Sequence, residues 1–129
     1  MSRDFDERRD SAILRNATSA FVGALLADVL PDLRLAARGL GYAVAVHGSE
    51  ARDIDLVAIP WDNNAAAPKA LVDRICGVLA GKLGRATSLL SDWSEKPHGR
   101  QAVTIIVSGG ALCPEFDLSI MPRIGATEE

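Results

Sequence analysis

The chain has few of the residues that mark several specialised classes of protein. Its 129 residues include only two cysteines, Cys76 and Cys113, which lie far apart and lack the spacing of metal ligands. This scarcity favours a reducing compartment over a disulfide framework. Aromatic residues make up 5% of the chain and the net charge is -3, so no strong positive field favours a nucleic-acid duplex as partner.

Long apolar segments are also absent from the sequence. No apolar run approaches the roughly 20 residues that a membrane helix requires. The first ten residues, MSRDFDERRD, are charged throughout and lack the apolar core of a secretory signal. These features predict a cytoplasmic protein with no membrane partner.

Hydrophobic residues nevertheless make up 48% of the chain, which suits one domain with a proper core. The sequence predicts a flexible N-terminal tail over residues 1–10, a folded domain over residues 11–123 and a C-terminal tail over residues 124–129.

Two segments have the spacing of apolar residues that is typical of helices. The first runs from Ser11 to about Leu40, and Pro31 within it either kinks one helix or begins a second. The other runs from about Ala65 to Leu83, with Gly84 as its C-terminal cap. Strands are predicted at Tyr42–His47, Asp53–Ile59, Gln101–Val107 and Phe116–Met121, with a weaker candidate at Thr87–Ser91. The last two of the four strong candidates are expected to pair antiparallel, because the link between them is too short for a crossover helix.

The most informative segment is GSEARDIDL, residues 48–56, in which a Gly-Ser turn precedes two aspartates. Side chains alternate along a strand, so Asp53 and Asp55 project from one side. Two such carboxylates about 4 Å apart repel by roughly 4 kcal/mol at an effective dielectric near 20. A divalent cation would relieve this repulsion. The alternative is a solvated polar face on which nearby arginines such as Arg52 pair with the acids.

A third strand-borne acid occurs near the end of the sequence. In the segment FDLSI, Phe116, Leu118 and Ile120 share one face, and Asp117 and Ser119 share the other. Alternation therefore allows Asp117 to lie on the same sheet face as Asp53 and Asp55.

This combination of a helix, a strand ending in Gly-Ser, an Asp-x-Asp strand and a later strand with one more acid resembles the nucleotidyltransferase superfamily with the DNA polymerase β-like fold. The resemblance extends from the first helix to Arg123. It implies an α+β fold with a nucleotidyltransferase-like mixed β-sheet and helices packed on one face. It also implies transfer of a nucleoside monophosphate from an NTP to a hydroxyl acceptor.

The resemblance also implies a role for each motif residue. Asp53, Asp55 and Asp117 would be the catalytic residues and would hold Mg²⁺ or Mn²⁺, while Gly48 and Ser49 would bind the triphosphate. Glycine lets the backbone approach a phosphate closely, and serine can donate its hydroxyl to it. Arg52 is expected either to contact phosphate or to pair with the acids.

The chain departs from the family pattern in one respect. Only Glu50, Ala51 and Arg52 separate the Gly-Ser turn from the acids, where family members commonly have more residues. This short link, and the lack of an additional helical domain, motivate an alternative function. In that alternative the chain is a non-catalytic module of the same fold, an antitoxin-like or regulatory partner of another protein.

Two further features are interpreted as structural. The segment Lys96–Arg100 contains two cations and a histidine and can neutralise a phosphate, but it is interpreted as a solvated loop. His47, immediately before the Gly-Ser turn, is interpreted as a hydrogen-bonded residue at a strand end and not as a catalyst.

Overall fold

Within the residues that the structure describes, two α-helices and a mixed β-sheet form the fold, which is therefore of the α+β class. The structure is a computed structural model that describes residues 3–47, 53–84, 86–88, 93–107 and 115–123, and of residues 3–19 and 86–88 it describes the backbone only. The helices are α1 (Arg3–Gly39) and α2 (Pro68–Leu83). The strands are β1 (Tyr42–Val46), β2 (Ile54–Pro60), β3 (Ala86–Ser88), β4 (Ser94–Glu95), β5 (Gln101–Val107) and β6 (Glu115–Ile120).

The sheet brings together strands that are distant in the sequence. Its order within the described residues is β1-β2-β6-β5-β3, and the short strand β4 pairs with β5. Strands β2 and β6 are parallel, whereas the other neighbours in the sheet are antiparallel. The predicted antiparallel pairing of β5 with β6 is confirmed. The parallel pair β2–β6 lies at the centre of this order.

Both helices pack against each other and against one face of the sheet, where they enclose the core. Alternate residues of each long strand are buried beneath them, which matches the period of two in the sequence. The buried strand residues include Ile54, Leu56, Ala58, Val103, Ile105, Phe116, Leu118 and Ile120. The helices contribute Val22, Leu25, Leu26, Val29, Leu33 and Ala37 from α1, and Leu71, Val72, Ile75 and Leu79 from α2. Neither described helix is long and apolar enough to cross a lipid bilayer.

The helix boundaries differ from the predicted ones for identifiable reasons. α1 begins at Arg3, not at Ser11, because its charged first residues include good helix formers such as arginine and glutamate. It is continuous through Pro31, so the segment is one helix and not two. α2 begins at Pro68, since proline suits the first helical position, and the predicted cap Gly84 adopts φ +107° with its N–H bonded to Ala80. The two-residue strand β4 was not predicted.

No described helix packs on the opposite side of the sheet, which we call the open face. It carries the strand residues that alternate with the buried ones. On β2 and β6 these are Asp55, Val57, Ile59, Glu115, Asp117 and Ser119. The predicted acids of β2 and β6 therefore lie on the side of the sheet that the helices leave uncovered.

Candidate functional site

A line of polar residues crosses the open face from strand to strand. We call it the polar row, and it consists of His47, Asp55, Asp117 and Thr104. Asp55 is the register partner of Asp117 in the parallel pair, and Asp117 is the register partner of Thr104 in the antiparallel pair. The backbone N–H of His47 donates to the carbonyl of Asp55 at 2.8 Å, which continues the β1–β2 ladder by one residue.

The register places the two predicted acids side by side. Adjacent strands of a sheet are about 4.8 Å apart, and register partners project to the same face. The prediction that Asp117 shares a sheet face with Asp55 is therefore confirmed. A shift of one residue in either strand would turn one of the two acids into the core, so the buried partners Ile54, Leu56, Phe116 and Leu118 fix this register.

The protonation of Asp117 depends on its surroundings. Its pKa is raised, chiefly because burial penalises the charged form. Thr104 opposes this effect by donating its Oγ1 hydroxyl to Oδ1 of Asp117 at 3.1 Å. The negative charges of Asp53 and Asp55 raise the pKa further. A nearby cation would therefore stabilise the charged form of Asp117.

Asp53 lies at a bend immediately before β2 and is half-buried. Its charge acts on Asp117, so the three predicted acids belong to one electrostatic cluster. The predicted phosphate-binding residues Gly48, Ser49 and Arg52 lie outside the described residues. Their roles remain predictions.

A cleft of about 540 Å³ is lined by three members of the polar row, His47, Asp55 and Asp117, and extends along β2 and β6. We call it the acidic cleft. Asp55 and Asp117 line it at the end where His47 lies, and Arg100 and Met121 line it farther along the strands. His47 was interpreted as structural, and the structure places it beside Asp55 in this cleft. Its position opposite Asp55 follows from strand register, which sequence alternation alone does not specify.

Arg100 also belongs to the open face. Its Nη1 donates to the Ser119 hydroxyl at 2.9 Å, and the side chain is half-buried. Residues Lys96–Gly99 are exposed, as expected for a solvated loop. Arg100, the last residue of the predicted loop, is half-buried and does not fit that interpretation. The only sequence signal for this contact was the polar position of Ser119, two residues after Asp117.

The side chains of the acidic cleft suit a hard divalent cation in their chemistry. The carboxylates of Asp55 and Asp117 and the hydroxyl of Ser119 line this cleft and supply oxygen atoms, which Mg²⁺ prefers. The Thr104 hydroxyl, bonded to Asp117, lines the adjoining cleft. Across the described ranges, no group of three or more His, Cys, Asp or Glu side chains is arranged to hold a metal ion. Mg²⁺ commonly uses only one or two carboxylates and completes its shell with water and substrate phosphates. Two adjacent carboxylates with a third acid close by fit that pattern.

The raised pKa of Asp117 predicts that Asp117→Asn stabilises the metal-free protein at neutral pH. The folded pKa lies above the unfolded one, so the stability contribution of Asp117 is complete below the ordinary carboxyl pKa of about 3.9 and is lost as pH rises through the folded value. Asparagine avoids this loss and can still accept the Thr104 hydrogen bond. We expect a rise in Tm on the order of a few degrees at pH 7 that disappears toward pH 4.

Thermal unfolding in EDTA between pH 4 and pH 7.5 measures this difference. Asp73→Asn is the matched control, because Asp73 is exposed on α2 and pairs only with Lys69 among the described residues. A variant Asp117→Asn that is less stable than the wild type at pH 7 would contradict the inferred surroundings of Asp117.

Comparison of the chain with protein-family models, with curated proteins and with solved structures finds no match. Its function is therefore inferred from the geometry of the open face.

Proposed function

We propose that the protein is a magnesium-dependent nucleotidyltransferase-like enzyme that transfers a nucleoside monophosphate from an NTP to a hydroxyl acceptor. The observation that carries the proposal is the register pairing of Asp55 with Asp117 on the open face, within reach of the charge of Asp53. Acids that repel one another in a half-buried cleft destabilise the fold, and a bound cation compensates that cost. The nucleotidyltransferase version of the α+β fold is part of the proposal.

In this proposal Asp53, Asp55 and Asp117 hold Mg²⁺ or Mn²⁺. The metal would neutralise phosphate charge and lower the pKa of the acceptor hydroxyl. Thr104 holds Oδ1 of Asp117, which leaves Oδ2 as the oxygen for the ligand or for the proton of the acceptor. In the metal-free protein the pKa of Asp117 is raised, so a cation at Oδ2 would stabilise its charged form.

The phosphates of the nucleotide are assigned to the Gly-Ser turn. Gly48 and Ser49 directly follow His47, which lies at the end of the polar row, and Arg52 directly precedes Asp53. Phosphates bound beside His47 would reach the acids from the β1 side of the cleft. We propose a cytoplasmic location, which the low cysteine content favours.

Thermal unfolding with Mn²⁺ and ATP tests the proposal. At a ligand concentration about 100 times Kd, binding stabilises the folded state by about 2.7 kcal/mol, so we expect a rise in Tm of several degrees for the wild type. The double variant Asp53→Asn with Asp55→Asn should lose most of this rise, because it removes two of the three negative charges.

The control for this experiment is Asp73→Asn, which should keep the full rise in Tm. No rise in the wild type, or an equal rise in the double variant, would contradict the proposed metal and nucleotide site. Titrations with Mn²⁺ alone and with ATP alone show whether the two ligands bind cooperatively.

A second candidate function is that of a non-catalytic module that binds another protein, in an antitoxin-like or regulatory role. The observation in its favour is the exposure of apolar residues on the open face, where Ile59 is 46% and Met121 36% exposed. Co-purification from the native cell separates the two candidates. A stoichiometric protein partner without nucleotide turnover would favour the module, and turnover without such a partner would favour the enzyme.

A further inference from the structure

The acidic cleft has a basic end as well as an acidic one. Arg100 precedes β5 and lies four positions before Thr104, which corresponds to about 13 Å along an extended strand. Its side chain turns back to Ser119, two residues from Asp117. The cleft therefore offers carboxylates at one end and a guanidinium at the other, and both groups line the same cavity.

Arg100 has no acidic counter-ion within the described parts of the chain. The ion pairs found there join Lys69 to Asp73 and Lys82 to Asp28 and Asp32. The Ser119 hydroxyl accepts from one nitrogen of a guanidinium that carries five N–H donors. A half-buried cation with unused donors favours an anionic ligand, because a guanidinium binds phosphate through two parallel hydrogen bonds.

The turn that carries Arg100 is held in place by the protein. The Lys96 N–H donates to the Arg100 carbonyl at 2.7 Å and closes the β4–β5 connection. Gly99 adopts φ +80°, and a Cβ at this position would lie 3.2 Å from Cβ of Pro122. Lys96 lines an adjoining cleft of about 410 Å³ that shares Asp117 and Ser119 with the first. Lys96 thus places a second cation on the open face, in the cleft next to the one that Arg100 lines.

We infer that the hydroxyl acceptor of this enzyme carries a phosphate group, which Arg100 binds while the hydroxyl reaches Asp55 and Asp117. This inference rests on the proposed function. The phosphates of the nucleotide are assigned to Gly48 and Ser49, which directly follow His47 in the sequence. His47 and Arg100 line opposite ends of the acidic cleft. The second substrate is therefore the source of the anion at Arg100, and it belongs to the class of phosphorylated hydroxyl compounds.

The first test titrates the ¹⁵N-labelled protein with inorganic phosphate, in the absence of metal and nucleotide, and monitors the titration by NMR. We expect saturable shifts of the Arg100 side-chain Nε–H signal and of the Ser119 amide. Arg100→Gln should weaken binding about tenfold or more, and Arg100→Lys should weaken it less, because lysine keeps the charge but not the fork of donors. Arg74→Gln, an exposed change on α2, should bind as the wild type does.

A wild type that gives no shift at Arg100, or Arg100→Gln that binds phosphate as tightly as the wild type, would overturn the inference. Asp55→Asn should keep phosphate binding and lose the rise in Tm with Mn²⁺ and ATP. The phosphate titration uses neither metal nor nucleotide, so its result can be interpreted even if the proposed function fails.

The second test measures the affinity for ATP with Mn²⁺ and identifies the source of the anion. If the anion belongs to the acceptor, Arg100→Gln should bind ATP within about twofold of the wild type. A loss of about tenfold or more would show that Arg100 binds the phosphates of the nucleotide and would overturn the assignment to the acceptor.

Discussion

Replacing Asp55 with asparagine is expected to lower nucleotidyl transfer by about a thousandfold or more. Asparagine has nearly the same shape but no charge, so it removes one of the two adjacent carboxylates that we propose as metal ligands at the centre of the polar row. A thousandfold loss corresponds to about 4 kcal/mol of transition-state stabilisation, a reasonable value for a metal ligand in a phosphoryl-transfer site. Release of pyrophosphate from an NTP in the presence of Mn²⁺ and a candidate acceptor measures the rate.

The stability of the same variant separates this effect from misfolding. Asp55→Asn removes a charge that repels Asp117, so its Tm in EDTA should equal or exceed that of the wild type. Asp73→Asn should keep the full rate. A folded Asp55→Asn variant with wild-type turnover would contradict the assignment of Asp55 as a metal ligand.

Replacing Phe116 with alanine is expected to lower the free energy of unfolding by about 3–5 kcal/mol. Phe116 is fully buried and is the register partner of Ile54, directly beneath the acids on the other face of the sheet. Truncation leaves a cavity at the centre of the core, where β2 meets β6. Because the total stability of a domain is about 5–15 kcal/mol, this loss is large. Urea unfolding followed by circular dichroism measures it.

Phe21→Ala is the matched control, because it removes the same atoms from a side chain that is 44% exposed on α1. More than half of its surface is buried, so we expect a loss of about 1–1.5 kcal/mol, well below that of Phe116→Ala. Equal losses in the two variants would contradict the place of Phe116 in the core and, with it, the register that aligns Asp55 with Asp117.

The local features of the site could be predicted because alternation along a strand has a strict period. Phe116, Leu118 and Ile120 are hydrophobic at every second position, which fixes Asp117 on the opposite face. The same rule places Asp55 opposite Ile54 and Leu56. The faces of both acid-bearing strands, and the core beneath them, therefore follow from the residues alone.

The pairing that brings the acids together could not be predicted in the same way. Strands β2 and β6 are neighbours in the sheet although α2 and three strands separate them in the sequence, and such long-range pairing has no local signal. The position of Arg100 was missed for a related reason. It depends on β4, a strand of two residues whose pairing with β5 closes the turn that carries Arg100.

A crystal of the wild-type protein grown with Mn²⁺ and a non-hydrolysable NTP gives the most direct test of the metal site. We expect an anomalous scattering peak about 2.0–2.2 Å from carboxylate oxygens of both Asp55 and Asp117, with phosphate oxygens completing the shell. A crystal with nucleotide bound but no anomalous peak between these two carboxylates would contradict the proposed function.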